Sequence, residues 1–257
     1  MLAALVVGGT TLLATKGWLL IIVALIAVVA FIVNERKAMR PIFDLRLFMT
    51  NRVFGLSCLS AFLMYTATYA NVVLVGLYLQ YLQGLAPAKA GLVMMTQPLT
   101  MALFAPVSGR LSDRVEPRIL ASAGMVFTVV GLVVLSMLGK QSAMTHVYAA
   151  LITTGMGFGL FSAPNTNAIL SSVERKLYNM ANSQVATMRM LGQMCSMGII
   201  AVVFALVLGP VKITPEVYEG LRTALRLSYL TAAAFCVPAI FFSLARGSVH
   251  AADRATS

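Results

Sequence analysis

Residues 109–118 read Gly109-Arg110-Leu111-Ser112-Asp113-Arg114-Val115-Glu116-Pro117-Arg118. So dense a set of charges is out of character for a chain of 257 residues that is 60% hydrophobic and 11% charged. The stretch is bounded by two apolar runs, Ala90–Gly109 and Ile119–Leu138. Each run is near the ~20 residues that a helix needs to cross ~30 Å of hydrocarbon. The stretch therefore reads as a short loop between two membrane-spanning helices. Gly109 permits a tight turn, and the arginines and Asp113 are held at the membrane face. Asp113 can pair with an arginine or sit at a helix N-terminus, where the macrodipole favours an anion.

The rest of the chain repeats this alternation. Further apolar runs lie at Gly17–Val33, Val53–Tyr81, Val147–Leu170, Val185–Val211 and Leu227–Leu244. Soluble chains are roughly half apolar and about a quarter charged, and mean hydropathy here is +0.89. Too few charges are present to cover a water-facing surface, so the lipid bilayer is the partner of most of the chain. Trp18 beside Lys16 reads as an interfacial anchor for the first run. Met1–Ala14 is apolar, too short to span, and lacks the basic segment that opens a signal peptide. It reads as the tail of a helix whose first part is missing, so the chain looks truncated.

The basic residues set an expected orientation. With the segment after Val33 placed in the cytoplasm, that side collects thirteen of the nineteen Lys and Arg residues. They are Arg36, Lys37, Arg40, Arg46 and Arg52, then Arg110, Arg114 and Arg118 in the second cytoplasmic loop. Arg175, Lys176 and Arg189 follow, and Arg246 and Arg254 end the set. The other side holds Lys16, Lys89, Lys140, Lys212, Arg222 and Arg226. This is the sense of the positive-inside rule. The expectation is a multi-pass protein of the cytoplasmic (inner) membrane with its C-terminus in the cytoplasm.

Several function classes are disfavoured. Net charge is +11, yet the basic residues stand singly or in small sets between apolar runs, not on one polar face, so nucleic acid is not an expected partner. Cys58, Cys195 and Cys236 lie far apart inside apolar runs, with no C-x-x-C pair or Cys/His grouping. Neither a metal site nor a disulfide framework follows. An intramembrane enzyme would need paired acids, an H-E-x-x-H or a Ser/His couple at membrane depth, and the runs contain none. Neither catalytic residues nor a cofactor are expected.

The decapeptide resembles the signature loop of the major facilitator superfamily, written roughly G-x-L-[AS]-D-R-x-x-x-R. Other stretches, in the same order, resemble the C-terminal half of the fourteen-helix drug/proton antiporters of that superfamily. They are Arg46-Leu47-Phe48 with Asn51-Arg52-Val53-Phe54, and Leu77-Tyr78-Leu79-Gln80 with Gly84, Pro87 and Ala90-Gly91-Leu92. Gly155-x-Gly157-x-Gly159-Leu160, Pro164-Asn165 and Thr187-x-Arg189-x-x-Gly192 complete the set. The resemblance spans roughly residues 16 to 245. It implies an all-α integral membrane fold, a six-helix C-terminal bundle over 49–257 with a short cytoplasmic tail. Residues 1–48 would be the remnant of two linker helices, one full and one truncated, with their cytoplasmic connection. The N-terminal six-helix half would be a missing partner, in the same or a separate chain. The implied function is part of a proton-coupled efflux antiporter for drugs or other small lipophilic molecules. The alternative is a half-size membrane protein that does not transport, or does so only with a partner.

Secondary transporters hold substrate near the membrane midplane. Tyr65, Tyr69, Val72, Gly76 and Gln80 form one stripe at helical spacing. Gln97, Phe161, Asn165 and Asn167 are further polar or aromatic groups deep in their runs. Tyr65, Tyr69, Gln80, Gln97, Phe161, Asn165 and Asn167 are the substrate-cavity candidates, with hydrogen bonding between helices as the other reading. The resemblance implies a conformational latch at the loop, and Gly109, Asp113, Arg114, Arg118 and Arg189 are its candidates. Arg189 lies at least a turn inside its run, where an unpaired arginine costs at least ~2.5 kcal/mol. Pairing with Glu174 or Asp113, snorkelling, and substrate contact are its three readings. Every carboxylate falls in a loop, an end or a tail, so a proton-coupling acid would have to come from the missing half.

Overall fold

The computed structural model describes residues 45–112, 114–209 and 214–247. The expected helix at Gly17–Val33, the stretch Met1–Ala14 and the Asp113 carboxylate lie outside these. A short α1 (Leu45–Thr50) leads into α2 (Arg52–Thr68), α3 (Asn71–Leu77) and a π-helical turn (Tyr78–Leu82). There follow α4 (Pro87–Met94), α5 (Thr96–Ser112), α6 (Pro117–Ser136), α7 (Met144–Ser171), α8 (Tyr178–Leu208) and α9 (Tyr218–Ala245). No strand occurs among the described residues. These helices make six spans long and apolar enough to cross a membrane: Arg52–Leu82, Pro87–Ser112, Pro117–Ser136, Met144–Ser171, Arg175–Leu208 and Pro215–Ala245. All six expected spans from Val53 onward are present as helices. The last two begin about ten residues earlier than apolarity alone predicts, because a helix continues into polar sequence wherever nothing breaks it.

Local chemistry explains the span ends. Asn51 caps α2, its Oδ1 accepting the Phe54 N–H at 3.0 Å, while its Nδ2 donates to Ser172 O at 2.7 Å. One side chain thus starts the first span and ties it to the end of the fourth. Gly84 has φ +66° in the turn after the π-helical segment, a conformation in which a Cβ is disfavoured. Pro87 and Pro117 open α4 and α6, where the fixed φ of proline suits a helix start and its missing N–H is no loss.

The contacts show how the spans run. Ser57 meets Asn165 and Tyr65 meets Phe158, so the first and fourth spans are antiparallel. Gly155 abuts Gln97 and Thr100, Gly159 abuts Phe104, and Asn167 bonds Ser112, so the second and fourth are parallel. Gly192 abuts Phe62 and Tyr65 while Ser196 bonds Ala70, so the first and fifth are also parallel. The principal packings are third on fourth, second on fourth, third on sixth, first on fifth and first on sixth. Exchanging the first three spans for the last three maps this pattern onto itself. Two antiparallel triplets therefore share one packing plan, although no repeat is visible in the sequence.

Alternate glycines make the fourth span a wedge. On α7, Gly155 and Gly159 share a face and Gly157 lies opposite. A Cβ at Gly155 would sit 2.6 Å from Gln97 O, and one at Gly159 would sit 2.9 Å from Phe104 Cβ. A Cβ at Gly157 would lie 2.6 Å from Gly124 O and Thr128 N, and closer still to the Thr128 hydroxyl. The Gly155/Gly159 pair thus brings α5 into backbone contact, and Gly157 does the same for α6. Ser108 Oγ strengthens the first contact by donating to Gly159 O at 2.8 Å. The outward faces stay apolar: Leu92, Leu99, Leu103 and Leu111 on the second span are all exposed, as a lipid-facing helix requires.

Candidate functional site

The first span is not one continuous helix. α2 ends at Thr68 and α3 begins at Asn71, near the middle of Arg52–Leu82. Two local bonds precede the break: Thr66 and Thr68 hydroxyls donate to the carbonyls of Phe62 and Met64, each at 2.8 Å, a pattern that bends helices. The Ala70 N–H then donates out of the helix, to Ser196 Oγ of α8 at 3.0 Å. A backbone donor freed inside an apolar bundle is thereby satisfied by a neighbouring helix. The second span is interrupted as well, between Met94 and Thr96. Pro98 has no N–H to give to the Met94 carbonyl.

A cavity of about 470 Å³ opens at these two interruptions. The first span contributes Tyr65, Thr68, Tyr69, Asn71, Val72 and Val75. From the second come Met94, Met95 and Met101, with Gly91, Gln97 and Pro98. The fourth adds Leu151 and Phe158, the fifth adds Gln193, and the third and sixth add nothing. Tyr65 and Phe158 meet edge to face with ring centroids 5.4 Å apart, and Phe161 backs Phe158 at 6.4 Å. Rings fixed in this way offer flat apolar surface, and methionine thioethers adapt to whatever lies against them. The volume lies in the range of small-molecule sites.

Two amides mark the polar spot. Asn71 opens α3 and Gln97 lies in the first turn of α5, so each stands at an interruption. Asn71 Nδ2 donates to Gln97 Oε1 at 2.7 Å. Asn71 is only 2% exposed, and its Oδ1 is buried without a hydrogen-bond partner. No Asp or Glu is among the lining residues. A cation stands near instead: the Arg189 guanidinium of α8 interacts with the Tyr65 hydroxyl. Among the described residues no three His, Cys, Asp or Glu side chains come together to hold a metal ion.

The candidates separate by position. Tyr65, Tyr69 and Gln97 line the cavity, as does Val72 of the same stripe. Gln80 does not: it lies beyond Gly76, where a Cβ would meet Met94 Sδ at 3.7 Å and Gln80 Nε2 at 3.9 Å. Phe161 is the buried support of Phe158. Asn165 and Asn167 sit one to two turns further along α7, toward the 109–118 loop. Asn167 Nδ2 donates to Ser112 Oγ at 2.9 Å at that end. Of the latch candidates, Gly109 is not at a turn as its sequence suggests: α5 runs through it to Ser112, with no positive φ, and it packs near Ala163. Arg114 is exposed. The Arg118 carbonyl accepts from Ser122 at 2.7 Å and from Ser243 of α9 at 3.4 Å. Arg189 is exposed on α8 beside Tyr65.

In the sequence Arg246 reads as one more cytoplasmic charge at the end of the last span. It is 1% exposed and ends α9 inside the bundle. Its Nη1 donates to Asn165 Oδ1 at 2.8 Å and to Ser57 Oγ at 3.1 Å, while Asn165 Nδ2 donates to Ser57 O at 3.2 Å. First, fourth and sixth spans are tied at one point. Burial pulls the guanidinium down to about 10, with Glu116 opposing the fall and Arg118 adding to it. A signal was available in Asn165, a polar group deep in an apolar run that needs a partner. Asn71 was missed because only its neighbour Gln97 shows what it does.

Over residues 1–194, and again over 57–255, the sequence matches the family described as the Major Facilitator Superfamily. Among relatives, it is 33% identical over 149 residues to the riboflavin transporter RibZ of Clostridioides difficile, 58% of this chain and 31% of that one. To an uncharacterised transporter of this type in Bacillus subtilis, YhcA, it is 27% identical over 184 residues, 72% of this chain and 34% of the other. To the multidrug resistance protein Stp of Mycobacterium tuberculosis it is 25% identical over 175 residues, 68% of this chain and 32% of the other. The match spans about a third of the length of each relative.

Proposed function

The chain belongs to the Major Facilitator Superfamily, and from that premise we propose that it forms the substrate-binding C-terminal half of a membrane transporter for small, largely apolar molecules. The observation that carries this reading is the cavity at the interruptions of two spans, walled by fixed aromatic rings and methionines. Broken spanning helices are where transporters of many folds place their ligands. The relatives named for riboflavin and multidrug resistance are consistent with a flat or lipophilic cargo.

The finer reading is proton-coupled efflux. A coupling carboxylate must trade a proton for cargo in a low-dielectric site. Glu116, Glu174, Glu216 and Glu219 instead stand at span ends, so the coupling acid and the opposite cavity wall would come from a second six-helix half. That half makes up the rest of the transporter, in the same chain or another. The protein would lie in the cytoplasmic membrane with the 109–118 loop and the C-terminus inside.

The test is binding of a lipophilic fluorescent dye to the purified chain in lipid nanodiscs. Tyr65→Ala and Tyr69→Ala should each weaken it by roughly tenfold, the ~1.5 kcal/mol upper end of one aromatic contact. Binding that is absent, or indifferent to both substitutions, removes the cavity as the site. In liposomes with an imposed pH gradient, the chain alone should move no dye. Gradient-driven uptake there would refute the need for a second half.

A further inference from the structure

The Asn71–Gln97 pair gives the cavity a chemical selectivity that shape alone does not. A primary amide offers one NH2 and one carbonyl, and a single bond between two amides uses one group from each. Whichever way the pair is turned, one carbonyl and one NH2 are left over. Here they are Asn71 Oδ1, buried without a partner, and Gln97 Nε2, on a residue that lines the cavity. An unpartnered buried carbonyl is costly. Its cost is recovered when a ligand donor arrives, and the NH2 left on its bonded partner calls for an acceptor on the same ligand.

The surroundings narrow the ligand further. Tyr65 and Phe158 present ring surface at the same cavity, so a flat aromatic body fits against them. No carboxylate lines the cavity, and the near charge is the Arg189 cation beside Tyr65. Against the wall this chain provides, a cationic ligand would meet repulsion that no carboxylate of the lining offsets. We propose that the cavity takes a neutral, planar heteroaromatic molecule bearing a lactam or imide edge, an N–H beside a C=O, which docks on Asn71 Oδ1 and Gln97 Nε2. This rests on the reading of the cavity as the substrate site and names the class of substrate.

The test compares three fluorescent probes on the full chain in nanodiscs. Lumiflavin is neutral, planar and carries one ring N–H flanked by carbonyls. 3-Methyllumiflavin has the same ring and lacks that donor, and ethidium is a planar cation of similar size. Lumiflavin should bind about tenfold or more tightly than its methylated form, the worth of one hydrogen bond to a buried group left otherwise unpaired. Ethidium should be the weakest of the three. Asn71→Leu, close in shape, should erase the difference between the two flavins, and Gln97→Met should reduce it. Where N71L fails to accumulate, the comparison on the wild-type chain still decides. Equal binding of the two flavins, lost in Tyr65→Ala, overturns the lactam edge while leaving the cavity as the site. Tighter binding of ethidium overturns the selection for a neutral ligand. Flavin binding that is absent, or unmoved by Y65A, takes the cavity reading down with it.

Discussion

Arg246 is the largest fully buried side chain among the described residues, and the roles of its neighbours follow from its charge. Asn165 supplies the shortest bond it makes, at 2.8 Å. Asn165→Leu should cost about 1.5–3 kcal/mol, the range for a hydrogen bond to a charged group. Arg246→Met should cost less, because the desolvation penalty of the ion leaves with it, and the double variant should fall short of the sum. Denaturant unfolding in detergent micelles measures all three. The pH behaviour follows from burial, which lowers the Arg246 guanidinium to about 10. That value lies above 8 and the unfolded one is higher still, so folded and unfolded states are equally protonated at pH 8 and below. The stability difference between wild type and R246M should be flat from pH 5 to 8. It should move in favour of the wild type only as pH rises through about 10. A slope between pH 5 and 8 would mean that another group titrates at this point.

At the scale of the helix, one pair of substitutions separates contact from propensity. Gly157→Ala drives a methyl into the backbone of α6 and should cost about 1–3 kcal/mol as overpacking. Gly198→Ala, on α8 with nothing within 4 Å, should be neutral or stabilising by up to about 1 kcal/mol, the helix preference of alanine over glycine. Thermal unfolding of the two variants side by side reads the contrast. The interruption of the first span makes a second prediction. Ser196→Ala orphans the Ala70 N–H, and should cost about 1–3 kcal/mol and weaken dye binding, because Tyr69 and Asn71 flank that residue. Unchanged binding in S196A would show that the interruption holds itself open without the fifth span.

For the molecule as a whole, the charges predict an orientation that packing alone leaves open. A single cysteine at Arg114, exposed between the second and third spans, in a background lacking Cys58, Cys195 and Cys236, should react with an impermeant maleimide only from the cytoplasmic side. A cysteine at Lys140, between the third and fourth spans, should react only from outside. The reverse pattern would overturn the positive-inside reading. The two-triplet plan adds a structural reason for the site's position. The cavity draws on the first, second, fourth and fifth spans, the first two of each triplet, while the third and sixth pack on each other behind them.

The six described spans, the charged connection between the second and third, and the family were legible in the amino-acid sequence, although helix occupies both ends of 109–118, to Ser112 and from Pro117. Run length is a property of one segment, set by the transfer of each side chain from water to hydrocarbon, and needs no knowledge of neighbours. Tyr65, Tyr69 and Gln97 were legible for the same reason, as polar or aromatic groups at depth. The tertiary structure alone decided the rest. Thr68-Tyr69-Ala70-Asn71 contains no proline or glycine, and its interruption is held by Ser196, 126 residues away. Arg246 reads as a tail charge until Ser57 and Asn165, 189 and 81 residues distant, are brought to it. The same holds for Asn71, whose NH2 is taken by Gln97 while its buried carbonyl is left without a partner. Such features are properties of pairs, and only the folded chain determines which pairs meet.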